Sequence, residues 1–368
     1  MPAVLLTCVG RRVDIVRAFG AAGAGTVAVD VNPLAPALYA ADRHALVPPV
    51  ADDAYVPALA ELVAEHDVDL VVPLADTDQL VLAERRDELG ALVLLPAPDV
   101  VERTNDKYLA HVFFEEHGID SPGTWLPADA PGDLEFPVLV KARFGFGSRN
   151  IFRAHDAEEL AFFLRYSPVE PMVQRVCAGV EFSLDVFGDL EGRCLNAIPR
   201  TMIESAGGES IKGMTIRDEE LVEVGRRVAE SLGIVGPATI QCFRTAPGRH
   251  EVTDVNLRFG GAFPLPLAAG SRYPELAIAL ARGERPEPRL GEYREGVVMT
   301  RWLGETTLVR DGEGFAPLDD ATVGPAEDLA RTPAENERRT DAERHTDPER
   351  RTDAGRRTDA ERRTLLSE

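Results

Sequence analysis

The sequence predicts an α/β N-terminal unit of Rossmann-like type, then an α+β region, then a disordered C-terminal tail. Three observations carry this. Apolar and amphipathic runs alternate through the first hundred residues, short runs divided by turn residues follow, and from residue 340 the chain repeats in sixes. Strand and helix in alternation imply a parallel sheet covered on both faces.

Taken in order, "AVLLTCV" from Ala3 reads as a strand and "RRVDIVRAF" as a helix. "TVAVDV" is a second strand, and "VDLVVPL", "DQLVLAERRDEL" and "ALVLLP" continue the alternation. Gly10 lies at the first strand-to-helix turn and Asp30 ends the second strand, two marks of a dinucleotide site. The full glycine fingerprint is absent, and "GAAGAG" at Gly20 to Gly25 precedes a strand instead of opening a helix. An NAD-dependent oxidoreductase using residues 1–100 is therefore a disfavoured alternative. "ERTNDKYLAHVFFEEHGI" from Glu102 reads as a helix with Leu109, Val112, Phe113 and Ile119 on its apolar side. Beyond it "FPVLVKA", "PMVQRV", "EFSLDVFG", "RCLNAI", "ATIQCF" and "HEVTDVNL" read as strands, with "DEELVEVGRRVAESLG" the one clear helix among them.

In the tail, Thr340, Thr346, Thr352, Thr358 and Thr364 stand in phase, with Pro348 and Gly355 between them and no apolar stripe. Such a segment cannot bury enough surface to offset its ordering entropy, so a solvated spacer is expected, with a partner-binding arm as the alternative.

Composition excludes several classes. The net charge of -22 argues against a general nucleic-acid binder, since phosphate backbones demand a basic surface. No run approaches the roughly 20 apolar residues of a membrane span, and the N-terminal basic pair follows the apolar run, unlike a signal peptide; a cytoplasmic protein is expected. Cys8, Cys177, Cys194 and Cys242 lack CxxC spacing, so they suggest neither a zinc site nor a disulfide framework. The only lysines are Lys107, Lys141 and Lys212. An acidic, lysine-poor surface is one that a high-salt cytoplasm would favour.

The chemistry concentrates around "EVTDVNLRFGG". Pro247 and Gly248 centre a hairpin, and pairing about them sets Gln241 across from Asp254. Strand alternation then puts Gln241, Asp254, Asn256 and Arg258 on one polar side while Val255 and Leu257 face a core. One carboxylate and two amide carbonyls are hard oxygen ligands suited to Mg²⁺, and Arg258 beside them can hold a phosphoryl oxygen. A solvated sheet face would look the same. Three other stretches accompany it. "VLVKARFGFGSRN" puts Lys141 on a strand before a loop with Gly145, Gly147 and Ser148, where backbone amides can approach phosphate, or else a plain hairpin turn. "MVQRVCAGVEF" carries Glu181, either a ribose acceptor or an exposed strand-end carboxylate. "TNDKYL" sets Lys107 at a helix start, where Asp106 is the ordinary choice and Lys the less expected one.

In order and spacing these features resemble the ATP-grasp superfamily from about residue 100 to 270, and the first unit resembles its pre-ATP-grasp domain. Single-copy ligases related to half of a carbamoyl phosphate synthetase large subunit, the pyrrolysine-pathway ligase among them, are the nearest in kind. The resemblance implies a pre-ATP-grasp domain over 1–100 and an ATP-grasp domain over 101–318. The latter divides into a nucleotide lid subdomain (about 120–178) and a metal and substrate subdomain (about 179–318); the tail is 319–368. It further implies that Lys107 and Lys141 contact ATP phosphates under a lid formed by Gly145 to Ser148. Gln174, Arg175 and Val176 would form the adenine hinge, with Glu181 on the ribose. Gln241, Asp254 and Asn256 would hold Mg²⁺, or Mn²⁺, and Arg258 would steady the transferred phosphate. Asp254 departs from the usual Glu and Gln241 is an amide, so formal negative charge at the metal is low.

The implied activity is attack of a small-molecule carboxylate, amino-acid-like, on the γ-phosphate, and displacement of the acyl phosphate by an amine. No side-chain nucleophile is needed, in keeping with the absence of HExxH and GxSxG. "IPRTMIESAGGESIKGMTI" offers Arg200, Ser210 and Lys212 as substrate contacts, or a solvated basic segment. A homodimer is in the family's habit. A non-catalytic ATP-binding regulatory protein on the same scaffold is the alternative from another class.

Overall fold

Four apolar runs and one exposed edge strand pair as a parallel sheet: β1 (Ala3–Thr7), β2 (Gly25–Asp30), β3 (Arg43–Leu46, the edge), β4 (Leu70–Pro73) and β5 (Leu92–Val93). Their order is β3-β2-β1-β4-β5. Alternation along β1 divides the core. Leu5 joins the layer under α2 (Tyr55–Glu65), whereas Val4 and Leu6 join the layer under α1 (Val13–Ala21). Connections leave β1 and β4 in opposite directions, so a crevice opens between their carboxyl ends, where open α/β sheets bind ligands. The loop after β4 leads into α3 (Gln79–Glu84).

The computed structural model describes residues 1–145, 150–206, 209–312 and 314–318. Residues 1–316 form one compact unit; 317–368 form a second, of which 317 and 318 are described. The repeat tail, Gly147 and Ser148 thus lie outside the described residues. Among those residues no helix is long and apolar enough to cross a membrane.

The helix expected from Glu102 is two helices, α4 (Pro98–Asn105) and α5 (Lys107–Glu116). Asp106 breaks them, because its backbone is extended and its carboxylate accepts from the amides of Tyr108 and Leu109. The break resets the helical phase. The buried face of α5 is Ala110, His111, Phe113 and Phe114, and the expected core residue Leu109 is 37 % exposed.

A four-stranded antiparallel sheet comes next, in the order β6-β9-β7-β8: β6 (Thr124–Trp125), β7 (Val138–Ala142), β8 (Ile151–Ala154) and β9 (Pro171–Arg175). A helix that sequence reading did not place, α6 (Ala157–Tyr166), joins β8 to β9.

The third sheet has six strands: β10 (Val180–Gly188), β11 (Cys194–Ala206), β12 (Glu209–Thr215), β13 (Gly236–Ala246), β14 (Arg249–Asn256) and β15 (Val298–Thr300). Their order is β14-β13-β10-β11-β12-β15. The segment around Arg200, read from the sequence as a source of substrate contacts, is the β11–β12 hairpin. On one face Leu184, Val186, Ile240 and Val255 pack under α7 (Glu219–Leu232), which Asp218 caps and left-handed Gly233 ends. That core is continuous with Leu5 and Val27 of the parallel sheet. The opposite face carries Ser183, Asp185, Thr239 and Gln241, and α8 (Pro264–Ala268) and α9 (Tyr273–Ala281) follow β14 in the chain.

Gln241 does pair with Asp254, and Thr239 with Asn256. The β13–β14 ladder slips by one residue between Arg244 and Ala246 and slips back between Gln241 and Cys242, leaving Thr245 and Thr253 unpaired on opposite strands. Two cancelling bulges preserve the register that simple folding about the turn predicts.

Candidate active site

Lys107 is the first residue of α5, and Asp106 sets its direction. The Asp106 carboxylate accepts from Arg143 Nε at 2.9 Å and Nη2 at 2.6 Å as well as from the two helix amides. This ties the start of α5 to the end of β7, and Lys107 N donates to Arg143 O at 3.1 Å. Lys107 Nζ then reaches Gly145 O at 2.8 Å and Asp254 Oδ1 at 3.3 Å.

Lys141 stands on β7, 8 % exposed, with Nζ donating to Gln174 Oε1 at 3.2 Å. Gln174 is fixed in turn by Thr124, whose Oγ1 accepts from Nε2 at 2.9 Å. Sequence reading gave Gln174 a backbone role at the hinge; the structure adds a side chain that aims Lys141. Burial pushes the Lys141 ammonium below its ordinary range, with Lys107 adding to that and Asp254 opposing it. Burial would raise the Asp254 carboxyl, but Lys107 and Lys141 hold it below the usual carboxylate range.

Asn256 Nδ2 lies 3.4 Å from Asp254 Oδ2, and Gln241 Nε2 donates to Glu181 Oε1 at 3.2 Å. Burial raises the Glu181 carboxyl, against the pull of Arg200. Glu181, Gln241 and Asp254 face a cavity of about 360 Å³. Lys107, Lys141, Glu181, Gln241 and Asp254 line its polar side, and Leu139, Ile151 and Phe243 give an apolar wall fit for a planar base. Gln174, Arg175, Val176 and Gly145 also line it. A second cavity, about 350 Å³, adjoins it through Lys107 and Gly145, and takes in Asn256 with Asp76, Thr77 and Asn105.

The donor set fits a hard divalent ion: one carboxylate, Asp254, with amide oxygens from Gln241 and Asn256. Among the described residues no group of three His, Cys, Asp or Glu could hold a metal. Arg258 lies past the end of β14, and its Nε meets Asp76 at 3.0 and 3.1 Å. Asp76 and Thr77 were missed in the sequence; their signal was "LADTD" at the carboxyl end of a parallel strand.

The three expected substrate residues line neither cavity. Arg200 is buried, with Nε on Asp185 Oδ2 at 2.7 Å. Lys212 pairs across the hairpin with Glu204 at the surface, and the Ser210 hydroxyl faces Lys212 O. Strand pairing, which a loop would not impose, commits these side chains. Asp30 is committed too, accepting from Gly10 N and Asn32 N at 2.8 Å each. Gly10 has φ +46°, so this carboxylate pins a left-handed turn instead of waiting for a ribose.

A family model described as "PylC-like, N-terminal domain" matches residues 4–94, and one described as "ATP-grasp in the biosynthetic pathway with Ter operon" matches 167–303. The carbamoyl phosphate synthase large chain, C-terminal section, of Methanopyrus kandleri is 28 % identical over 217 residues, 53 % of this chain and 37 % of that one. The chain spans well under half the length of the curated relatives it matches. In fold it is similar to the L-amino acid ligase from Bacillus licheniformis (TM-score 0.64, 18 % identity, 84 % of this chain and 82 % of that one). It is likewise similar to the biotin carboxylase domain of Hydrogenobacter thermophilus 2-oxoglutarate carboxylase, solved as a dimer with MgADP (TM-score 0.65, 18 % identity, 80 % and 73 %).

Proposed function

We propose that this chain, an ATP-grasp protein with a PylC-like N-terminal domain, is an ATP-dependent carboxylate–amine ligase for small, amino-acid-like substrates. The observation that carries the reading is the convergence of Lys107, Lys141, Glu181, Gln241 and Asp254 on one cavity with an apolar wall. Adenine lies against Phe243 and Leu139, with its edge toward the Arg175–Val176 backbone and the ribose toward Glu181. Lys107 and Lys141 take the phosphates. Mg²⁺, when held by Asp254, Gln241 and Asn256, neutralises phosphate charge.

The adjoining cavity receives the carboxylate substrate, between Lys107 and Asp76, whose carboxylate also holds Arg258. One carboxylate oxygen attacks the γ-phosphorus, the bond to the β-phosphate oxygen breaks, and ADP leaves. The amine then attacks the acyl carbon, the bond from that carbon to the phosphate oxygen breaks, and inorganic phosphate departs with the proton that the nitrogen sheds, leaving an amide. Lys141, kept dry and aimed by Gln174, stabilises charge on the phosphoryl group without moving.

A matrix of amino acids screened for ATP-dependent phosphate release tests the reading, with Asp254→Ala and Lys141→Ala as inactive controls. Phosphate release that no carboxylate stimulates, or that persists in both variants, would contradict it.

A further inference from the structure

The four residues after β14, Leu257 to Gly260, are held one by one by side chains of the N-terminal domain. Gln79 Nε2 donates to Leu257 O at 2.9 Å; Asp76 receives Arg258 Nε; Arg12 donates to Phe259 O at 2.9 Å and to Gly260 O at 3.0 Å. Arg12 is itself aligned by Asp14, both contacts being 3.1 Å. Phe259, 1 % exposed, meets Phe19 of α1 edge-on at 5.9 Å. Gly260 admits no side chain, since a Cβ there would collide with Thr239 Oγ1 and come within 3.0 Å of Asp185 Oδ1.

These contacts join residues 178 to 248 positions apart in the chain, and they end on backbone carbonyls and one guanidinium. Packing between the domains needs no such series; a surface of equal area could be apolar throughout. What the series does specify is the path of the backbone on either side of Arg258. Gln79 is wholly buried, so water does not compete for its bond to Leu257 O. Asp76 fixes the guanidinium through Nε, which sets the plane of the whole group.

We propose that the N-terminal domain acts as a template for Arg258, with Asp76 as its positioning residue and Gln79 and Arg12 as supports. In place of binding a dinucleotide, the crevice between β1 and β4 supplies the group that orients an arginine of the neighbouring domain toward the γ-phosphate. This rests on the ligase reading above, because Arg258 has a γ-phosphate to meet only if the first cavity holds ATP.

The test is calorimetric binding of MgADP and of the magnesium complex of the β,γ-imido analogue of ATP. It is run on the wild type, Asp76→Asn, Asp76→Glu, Arg258→Ala and the Asp76→Asn/Arg258→Ala double variant. Affinity for MgADP is expected to change little in any of them. The gain in affinity on adding the γ-phosphate should fall roughly tenfold in Asp76→Asn and in Arg258→Ala, and no further in the double variant. Asp76→Glu should restore part of it. Gln79→Leu, which frees Leu257 O without touching a charge, should lose part of the same gain and serves if Asp76→Asn does not fold. A γ-phosphate gain unchanged in Asp76→Asn, or single losses that multiply in the double variant, would overturn the template role. A wild type that binds neither nucleotide would overturn the ATP reading itself.

Discussion

Asp254→Asn separates a metal ligand from a structural carboxylate by sign. Asp254 Oδ1 lies 3.3 Å from Lys107 Nζ, with 15 % of the lysine side chain and 19 % of the aspartate side chain exposed. A phosphate oxygen on the far side of that ammonium, at about 3 Å, sits roughly 6 Å from the carboxylate. At an effective dielectric of about 40, two unit charges so spaced repel by about 1.4 kcal/mol, tenfold in affinity. Removing the charge should therefore tighten ADP binding about tenfold when EDTA has removed the metal. With Mg²⁺ present the same substitution removes the one formal charge of the ligand set, and binding should weaken by at least about 100-fold. Titration of ADP with and without Mg²⁺, followed by calorimetry, reads both numbers. Equal weakening in both conditions would refute the reasoning and leave Asp254 a structural partner of Lys107.

Phosphate binding favours the Lys141 ammonium, whereas burial in the free protein depresses its pKa, so nucleotide binding should take up protons near that depressed pKa. Affinity should fall as pH rises through it; calorimetry in buffers of different ionisation enthalpy checks this, and Lys141→Met should abolish the uptake. Gln174→Leu should lower the rate of phosphate release about 10- to 100-fold while stability changes little, because it releases Lys141 without charging the core. Asp106→Asn keeps a good helix cap but removes the buried charge facing Arg143, which retains Glu170, so urea denaturation should show a loss of about 1–3 kcal/mol.

The parts legible in the sequence were those with local rules. Alternating apolar runs located four strands of the parallel sheet and missed the exposed edge strand β3, and the Pro247–Gly248 turn set Gln241 opposite Asp254, although only because the slips at Thr245 and Thr253 cancel. Asp106 was a readable cap, but its effect on helical phase was lost while Glu102 to Ile119 was treated as continuous. Helix α6 had a signal too: Asp156 caps it, accepting from the amides of Glu158 and Glu159, and Glu159 accepts from His155 N one residue before the cap. Arg200 and Lys212 could not be placed from sequence, since their partners Asp185 and Glu204 are chosen by cross-strand pairing. Asp76 is the clearest case: its partner lies 182 residues away, and only the packing of the loop after β4 against the end of β14 brings them together.

The central claim is that the carboxylate is activated by direct phosphorylation. Substrate labelled with ¹⁸O in its carboxylate, once identified from the amino-acid matrix, is turned over with ATP and amine, and the released phosphate is examined by ³¹P NMR. The account predicts one ¹⁸O per phosphate, carried over when the amine displaces the acyl phosphate. Phosphate free of label, with its new oxygen drawn from water, would contradict it.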